Sequence, residues 1–351
     1  MSLQTGFLRR LACLTLAGVG GFVLAAQDFS QRIAGPSLGY VFDRSVGVRP
    51  LLGVPGAAVA GPALTLDAGI HDMEVSSERD YALAIAGSDR RLLLFRDLAG
   101  VPTLALVRGV SGSVDRIALS PGGAAALLYA AGENSVRILT GLPGAPRSLP
   151  RMPLSGLPGP VQNMAVSDGG DAALLALGEA GRSAVYLLTP DGGDRFVVSG
   201  DGPFRLAFLN RSADALIADA AGSSVFLLRR AGAEFRLLPV SGAEAGVSKP
   251  VAVAASSDNR RAFVANGDPP GIVAIGLDDG TATALPCYCA PAGLTPLSGD
   301  SLFLVSSPSA DVLWILDGRP GGARLLAVPP IERPLARSNR AEAPGRIGGA
   351  R

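Results

Sequence analysis

Histidine is nearly absent: His71 is the only one in 351 residues. That excludes an imidazole-rich metal centre and leaves one conventional choice of general base. Cysteine is scarce too, with Cys13, Cys287 and Cys289 the only three. Lysine is represented by Lys249 alone, so 30 of the 31 basic residues are arginine. Thirty acidic residues oppose them and the net charge is +1, which excludes a global field drawing the chain to nucleic acid. Aromatic residues make up 5%, with Trp314 the single tryptophan. No window sustains capped helical periodicity, which argues against an α/β fold. Also missing are a Gly-x-Ser-x-Gly elbow opening a helix and a phosphate-cradling loop at a helix start. No cofactor is expected. No metal site is expected either, since Asp191-Gly-Gly-Asp194 and Asp278-Asp279-Gly280 read as ordinary turns.

What the chain has in abundance is glycine (46) and proline (27), spread among short apolar runs. With 48% apolar residues it is far too hydrophobic for disorder, so this punctuation marks turns. Residues 114–150 show the unit. Ile117–Leu119 meets Ser-Pro-Gly-Gly, a second run covers Ala124–Ala130, Gly-Glu-Asn breaks it, and Val136–Leu139 follows. Runs this short read as antiparallel strands. Six repeats can be anchored on the polar residue ending the first strand: Ser76, Ser120, Ser167, Asn210, Ser257 and Ser298. The steps of 44, 47, 43, 47 and 41 residues give a period in the forties, as for a four-stranded propeller blade.

The expected fold is therefore all-β: a single β-propeller of about seven four-stranded blades. Six repeats are complete and the N-terminal blade is incomplete. Leu38–Asp43 and Val46–Val54 supply two leading strands resembling the back half of a repeat, and residues 55–62 link onward. The alternative is six blades with an appended hairpin. The first strands, such as Met164-Ala165-Val166, are apolar at every position and are expected to be buried on both faces.

Arg261-Ala-Phe-Val-Ala-Asn266 and Gly271-Ile-Val-Ala-Ile-Gly-Leu-Asp278 resemble the YVTN-type propeller repeat. The Ser-Pro-Gly-Gly and Ser-Asp-Gly-Gly turns at 120–123 and 167–170 are similar to turns of those repeats and of lactonase-like propellers. The resemblance spans roughly residues 68–330. It implies a propeller and an extracytoplasmic setting, and it carries no catalytic residue onto this chain.

Three segments are expected. Residues 1–26 read as a signal peptide: Arg9-Arg10, then the apolar Leu11–Ala26 ending in small residues. A retained anchor is the other reading, although about 20 apolar residues are needed to span a bilayer. Residues 27–330 form the propeller. Residues 331–351, with five arginines against two glutamates, form a disordered Arg-rich tail. The location is extracytoplasmic, periplasmic or secreted, with no stable span after signal removal.

Candidate sites follow from propeller geometry. Just before the first strand stand His71-Asp72, Asp115-Arg116, Gln162-Asn163 and Arg205, while the fifth and sixth repeats are apolar or small there. This half ring is expected to bind an anionic or sugar-like ligand, unless these residues are simply solvated strand starts. No catalytic residue is assigned. His71 is either a general base or, flanked by one carboxylate, structural. Cys287 and Cys289 are expected to form a disulfide in an oxidising compartment, with free thiols and a redox pair as the alternatives. The functional reading is an exported, monomeric, non-catalytic scaffold for a protein, glycan or small anionic ligand. Nucleic acid is not a partner. The alternative is a lactonase-like hydrolase working at the channel mouth.

Overall fold

The computed structural model describes residues 35–43, 46–66, 69–110, 112–179, 181–232, 234–307 and 312–329. The signal segment, Cys13 and the Arg-rich tail lie outside them.

The turns explain the strands. Ser120 Oγ accepts the amides of Ala124 and Ala125, at 3.2 and 3.1 Å. Gly123, at φ +62°, closes the same turn by donating its N–H to the Ser120 carbonyl at 2.9 Å. Ser167 and Gly170 repeat the arrangement, Gly170 at φ +66°. A left-handed residue there suits glycine, and the serine hydroxyl satisfies amides that the hairpin leaves over. Each such turn sends the chain back as a second strand.

The result is seven antiparallel sheets, at residues 37–60, 70–106, 116–153, 161–200, 204–241, 250–286 and 293–328. They are blades 1 to 7 of a seven-bladed β-propeller. Among the described residues the only helix is the 3-10 turn Ala243–Ala245. In blades 2, 4, 5, 6 and 7 four strands follow each other in sequence order. In blade 3 two short strands, Arg147–Ser148 and Met152–Pro153, share the outer edge against Ser135–Thr140.

Among the described residues blade 1 has three strands, Ser37–Asp43, Gly47–Val54 and Ala57–Ala60. The last corrects the expectation of a linker at 55–62. Gly56, at φ +91°, allows a tight hairpin, so even Ala-Ala-Val-Ala pairs. The start of Ser37–Asp43 meets the end of the blade 7 inner strand, where Ser298 N–H donates to the Leu38 carbonyl at 2.8 Å. Tyr40 likewise lies beside Asp80, just ahead of the second strand of blade 2. Ser37–Asp43 therefore runs as a second strand does. No described strand takes the innermost place in this blade, and it matches the back half of a repeat.

The ring closes by face packing. Leu38, Leu51, Ala58 and Ala60 of blade 1 share a buried cluster with Leu297, Leu302, Leu304, Ile315 and Val328 of blade 7. Similar clusters lie between the other neighbouring blades. The second strands are the most enclosed: every residue of Tyr81–Ala86 is buried, as are residues 173–178 in blade 4. The inner strands are less so, Arg116–Leu119 having one fully buried residue in four. The expectation of burial on both faces holds for Met164-Ala165-Val166, where all three are buried, and fails for Arg116–Leu119, whose strand borders the open channel.

The repeat anchors also need adjustment. The amide closing each first turn belongs to Ser76, Ser120, Ser167, Leu209, Ser256 and Leu297. In the last three repeats this is one residue earlier than the polar residue read from sequence. Leu209 and Leu297 fill the site with an apolar side chain that joins an inter-blade cluster. Their polar neighbours Asn210 and Ser298 only mimic the marker.

Candidate functional site

Six inner strands line the channel: Ile70–Val75, Arg116–Leu119, Val161–Val166, Phe204–Phe208, Pro250–Ala255 and Gly293–Pro296. Their side chains alternate between the two neighbouring blades. Met164 and Val166 join the cluster with blade 3, whereas Ala165 joins the one with blade 5. Counted from the corrected anchors, the position four residues before holds Asp72, Arg116, Asn163, Arg205, Ala252 and Gly293. The position two residues before holds Glu74, Ala118, Ala165, Ala207, Ala254 and Thr295.

The structure brings most of the sequence-predicted half ring to one level, and it shows what those side chains do there. Arg116 donates Nη1 to the Val161 carbonyl at 2.9 Å and Nη2 to the Gln162 carbonyl at 3.2 Å. Arg205 Nε donates to the Val251 carbonyl at 2.7 Å. Asn163 Oδ1 accepts the Leu206 amide at 3.0 Å. Each fastens its own inner strand to the next. Burial, then the nearby Arg116 charge, lowers the pKa of Arg205. Asp72 sits on the same level beside Glu74.

The remaining three residues turn elsewhere. Asp115 pairs with Arg90 at 3.0 Å and accepts the Ala131 amide at 2.7 Å. Gln162 donates to the Gly178 carbonyl at 2.9 Å and accepts the Ser183 hydroxyl at 2.9 Å. His71 is exposed, with Nε2 3.1 Å from the Gly87 carbonyl. The inner strands of blades 2 and 4 bulge here, between Ile70 and Asp72 and between Val161 and Asn163. A bulge leaves one residue out of register, which accounts for His71 and Gln162 pointing away from the level of Asp72 and Asn163.

None of these seven residues lines the channel cavity, which lies at the far ends of the same strands. It has a volume of about 200 Å³ and is walled by Ala165, Ala207, Ala254, Thr295, Phe208 and Phe303. Glu74 is its one carboxylate at the level of the alanines. The sequence reading missed this residue. The available signal was its place in the repeat: where four other inner strands carry alanine and one threonine, blade 2 carries a glutamate. Glu74 is half-buried, and loss of solvation pushes its carboxyl up to about 7. Asp72 pushes the same way and Arg116 opposes them. The cavity opens towards a mouth that includes Glu78, Asp258, Asp300 and Arg211. Asp258 is held below the usual carboxylate range, chiefly by the Ser256 hydroxyl.

Other candidates can be placed as well. Asp191 accepts the Thr189 hydroxyl, and Asp279 accepts both the amide and hydroxyl of Thr281. Both carboxylates close their own turns. Among the described residues no group of three or more His, Cys, Asp or Glu is arranged to hold a metal ion. No helix among them is long and apolar enough to cross a membrane.

Cys287 and Cys289 stand in disulfide contact with Cα atoms 5.0 Å apart, within the usual bridging range. Pro286 ends the preceding strand, so the pair lies off the ladder and is free to bend. Intact mass before and after reduction should therefore differ by two hydrogen atoms, with no thiol alkylated beforehand. Two alkylatable thiols at Cys287 and Cys289 in the native protein would show the pair to be free. Reduction should cost little stability, because the closed loop is minimal.

No family model and no curated protein sequence matches this chain. Solved structures do resemble it. A functionally unknown protein from Desulfotomaculum acetoxidans DSM 771 is 14% identical with a TM-score of 0.57, over 84% of this chain and 100% of that one. Kluyveromyces marxianus Hsv2 is 10% identical with a TM-score of 0.52, over 83% and 96% of the two chains. A catalytically inactive virginiamycin B lyase from Staphylococcus aureus, solved with quinupristin, is 14% identical with a TM-score of 0.50, over 76% and 87%. These likenesses show the fold alone. The segments that carry the YVTN-type resemblance, 261–266 and 271–278, fall largely on Arg261–Gly267 and Pro270–Gly276, which pair as the second and third strands of blade 6.

Proposed function

We propose that this propeller is exported and acts as a non-catalytic binding scaffold. One observation carries the reading: the polar side chains at the inner-strand starts are spent on structure. Arg116, Asn163 and Arg205 tie neighbouring inner strands together, and Gln162 is satisfied within its own blade. A hydrolase needs a base within hydrogen-bond reach of a nucleophile or water, oriented by a third group. His71 is exposed and its ring nitrogen faces a backbone carbonyl. Among the described residues no hydroxyl, thiol or carboxylate bonds to it. Export is supported by the Arg9-Arg10 and Leu11–Ala26 segment. The ligand class is a protein, a glycan or a small molecule.

Two measurements test the reading together. Fractionation of the native host with N-terminal sequencing should find the protein outside the cytoplasm, beginning near Gln27. Intact Met1 in the cytoplasm would refute export. A pH-stat assay on aliphatic and homoserine lactones should show no hydrolysis above the buffer rate. Hydrolysis that disappears in His71→Ala would establish the lactonase-like alternative instead.

A further inference from the structure

The channel cavity joins three features: a carboxyl with no hydrogen-bond or ion-pair partner among the described residues, walls that are apolar in part, and an acidic entrance. We infer that it binds a small aliphatic amine, with the ammonium on Glu74 and the hydrocarbon chain against the alanine and phenylalanine walls. The inference rests on reading the protein as a binding module and names one class of ligand for it.

The carboxyl comes first. Glu74 is half-buried, takes part in no hydrogen bond or ion pair among the described residues, and borders the cavity. A carboxylate partly withdrawn from water into a channel loses solvation that an ionic partner would restore. The charged groups that face it are few. Asp72 stands on the same strand, and Arg116 approaches from blade 3 but gives two N–H groups to backbone carbonyls. Arg205 lies beside Arg116 and is likewise committed to a carbonyl. Glu78, in the turn after the strand, borders the same cavity. Blades 4 to 7 present only Ala165, Ala207, Ala254 and Thr295 at the Glu74 level. Among the described residues only Arg116 favours the ionised form, and it does so without bonding to it; a ligand with an N⁺–H group would supply a direct partner.

The walls and the entrance narrow the class. Phe208, Phe303 and the alanines offer contact to a hydrocarbon chain, while Ser76, Ser120, Asn210 and Ser301 make the rest of the lining polar. At about 200 Å³ the cavity is smaller than the roughly 300–1,000 Å³ of pockets for drug-sized molecules. At the mouth Glu78, Asp258 and Asp300 outnumber Arg211, which raises the local concentration of cations and repels anions. An anionic ligand is therefore disfavoured at this end of the channel. Because the carboxyl titrates near 7, an amine should bind more tightly as pH rises past that value. The gain continues until the ligand's own ammonium, with a pKa of about 10, begins to deprotonate.

Isothermal titration of the purified protein with n-pentylammonium chloride tests this directly. Saturable one-to-one binding is expected at pH 8.5, weakening at least about tenfold at pH 5.5. Glu74→Gln should lose about tenfold or more at pH 8.5 with its circular dichroism unchanged. Sodium pentanoate should not bind, and 1-pentanol should bind more weakly than the ammonium. Absence of saturable binding at pH 8.5 overturns the inference. Unchanged affinity in Glu74→Gln, or equal affinity for 1-pentanol, does so too. Those results would leave the scaffold reading intact, because export and lactone hydrolysis are measured separately.

Discussion

Replacing Phe263 with alanine should lower the stability of the propeller by about 3–5 kcal/mol, among the largest losses available to one substitution. Phe263 is 0% exposed and lies at the junction of blades 6 and 7. Its ring stands 5.4 Å from that of Phe303, tilted by 54°, a favourable geometry for two aromatics. Ala252, Ala254, Ile272, Val305 and Leu316 complete the cluster. The loss should fall towards the upper end of the range because the hole cannot collapse. On one side the wall is backbone at Gly318, so close that a Cβ there would meet the phenyl ring. That backbone is fixed in turn by Arg261, whose Nη2 donates to the Gly318 carbonyl at 2.5 Å. Urea unfolding of Phe263→Ala should show a lower midpoint with an unchanged slope. A loss below about 1 kcal/mol would mean that the interface relaxes freely, contrary to this account. Since the two rings touch, Phe263→Ala and Phe303→Ala should combine non-additively.

The fold was legible because its causes are local and repeated. Ser-x-Gly-Gly between two apolar runs dictates a hairpin wherever it occurs, and Ser120 and Ser167 close their turns as that pattern implies. Less legible was anything where a repeat substitutes one way of filling a position for another. Leu209 and Leu297 replace a capping serine with inter-blade packing, so a search for polar markers slips by one residue. Ala57–Ala60 carries no β-branched or aromatic signal except Val59, and it pairs because the Gly56 turn places it there. Tertiary context decided both cases.

The candidate site was legible in its residue types and obscure in its roles. Placing Arg116, Asn163 and Arg205 near the axis needed only the repeat spacing. Their partners are main-chain groups of the next blade, 43 to 46 residues away, and no local pattern reveals a carbonyl that lacks a donor. Glu74 was obscure for the opposite reason. A single glutamate after His-Asp-Met looks like solvated strand chemistry until five other repeats are laid against it with the corrected anchors. Only that alignment shows a carboxylate in a column otherwise made of alanine and threonine.

Glu74 should also make the stability of the protein depend on pH in a direction opposite to that of most carboxylates. Its pKa is pushed up to about 7, from an ordinary value of 4.5. Between those values the folded state holds a proton that the unfolded state has released, so stability falls as pH rises. The penalty is small below about pH 4.5 and complete above about pH 7. A shift of that size corresponds to roughly 3 kcal/mol at most. Glu74→Gln keeps the shape and hydrogen-bonding capacity of the neutral acid but cannot ionise. It should therefore match the wild type near pH 4.5 and exceed it at pH 8, by an amount approaching that figure. Chemical denaturation of both proteins across this range measures the difference directly, since every other titrating group cancels. A constant difference from pH 4.5 to 8 would mean that Glu74 titrates normally and is solvated in the channel. A difference that opens through the window, and closes again when pentylammonium is added to the wild type at pH 8, would tie the cost of this carboxyl to the ligand it awaits.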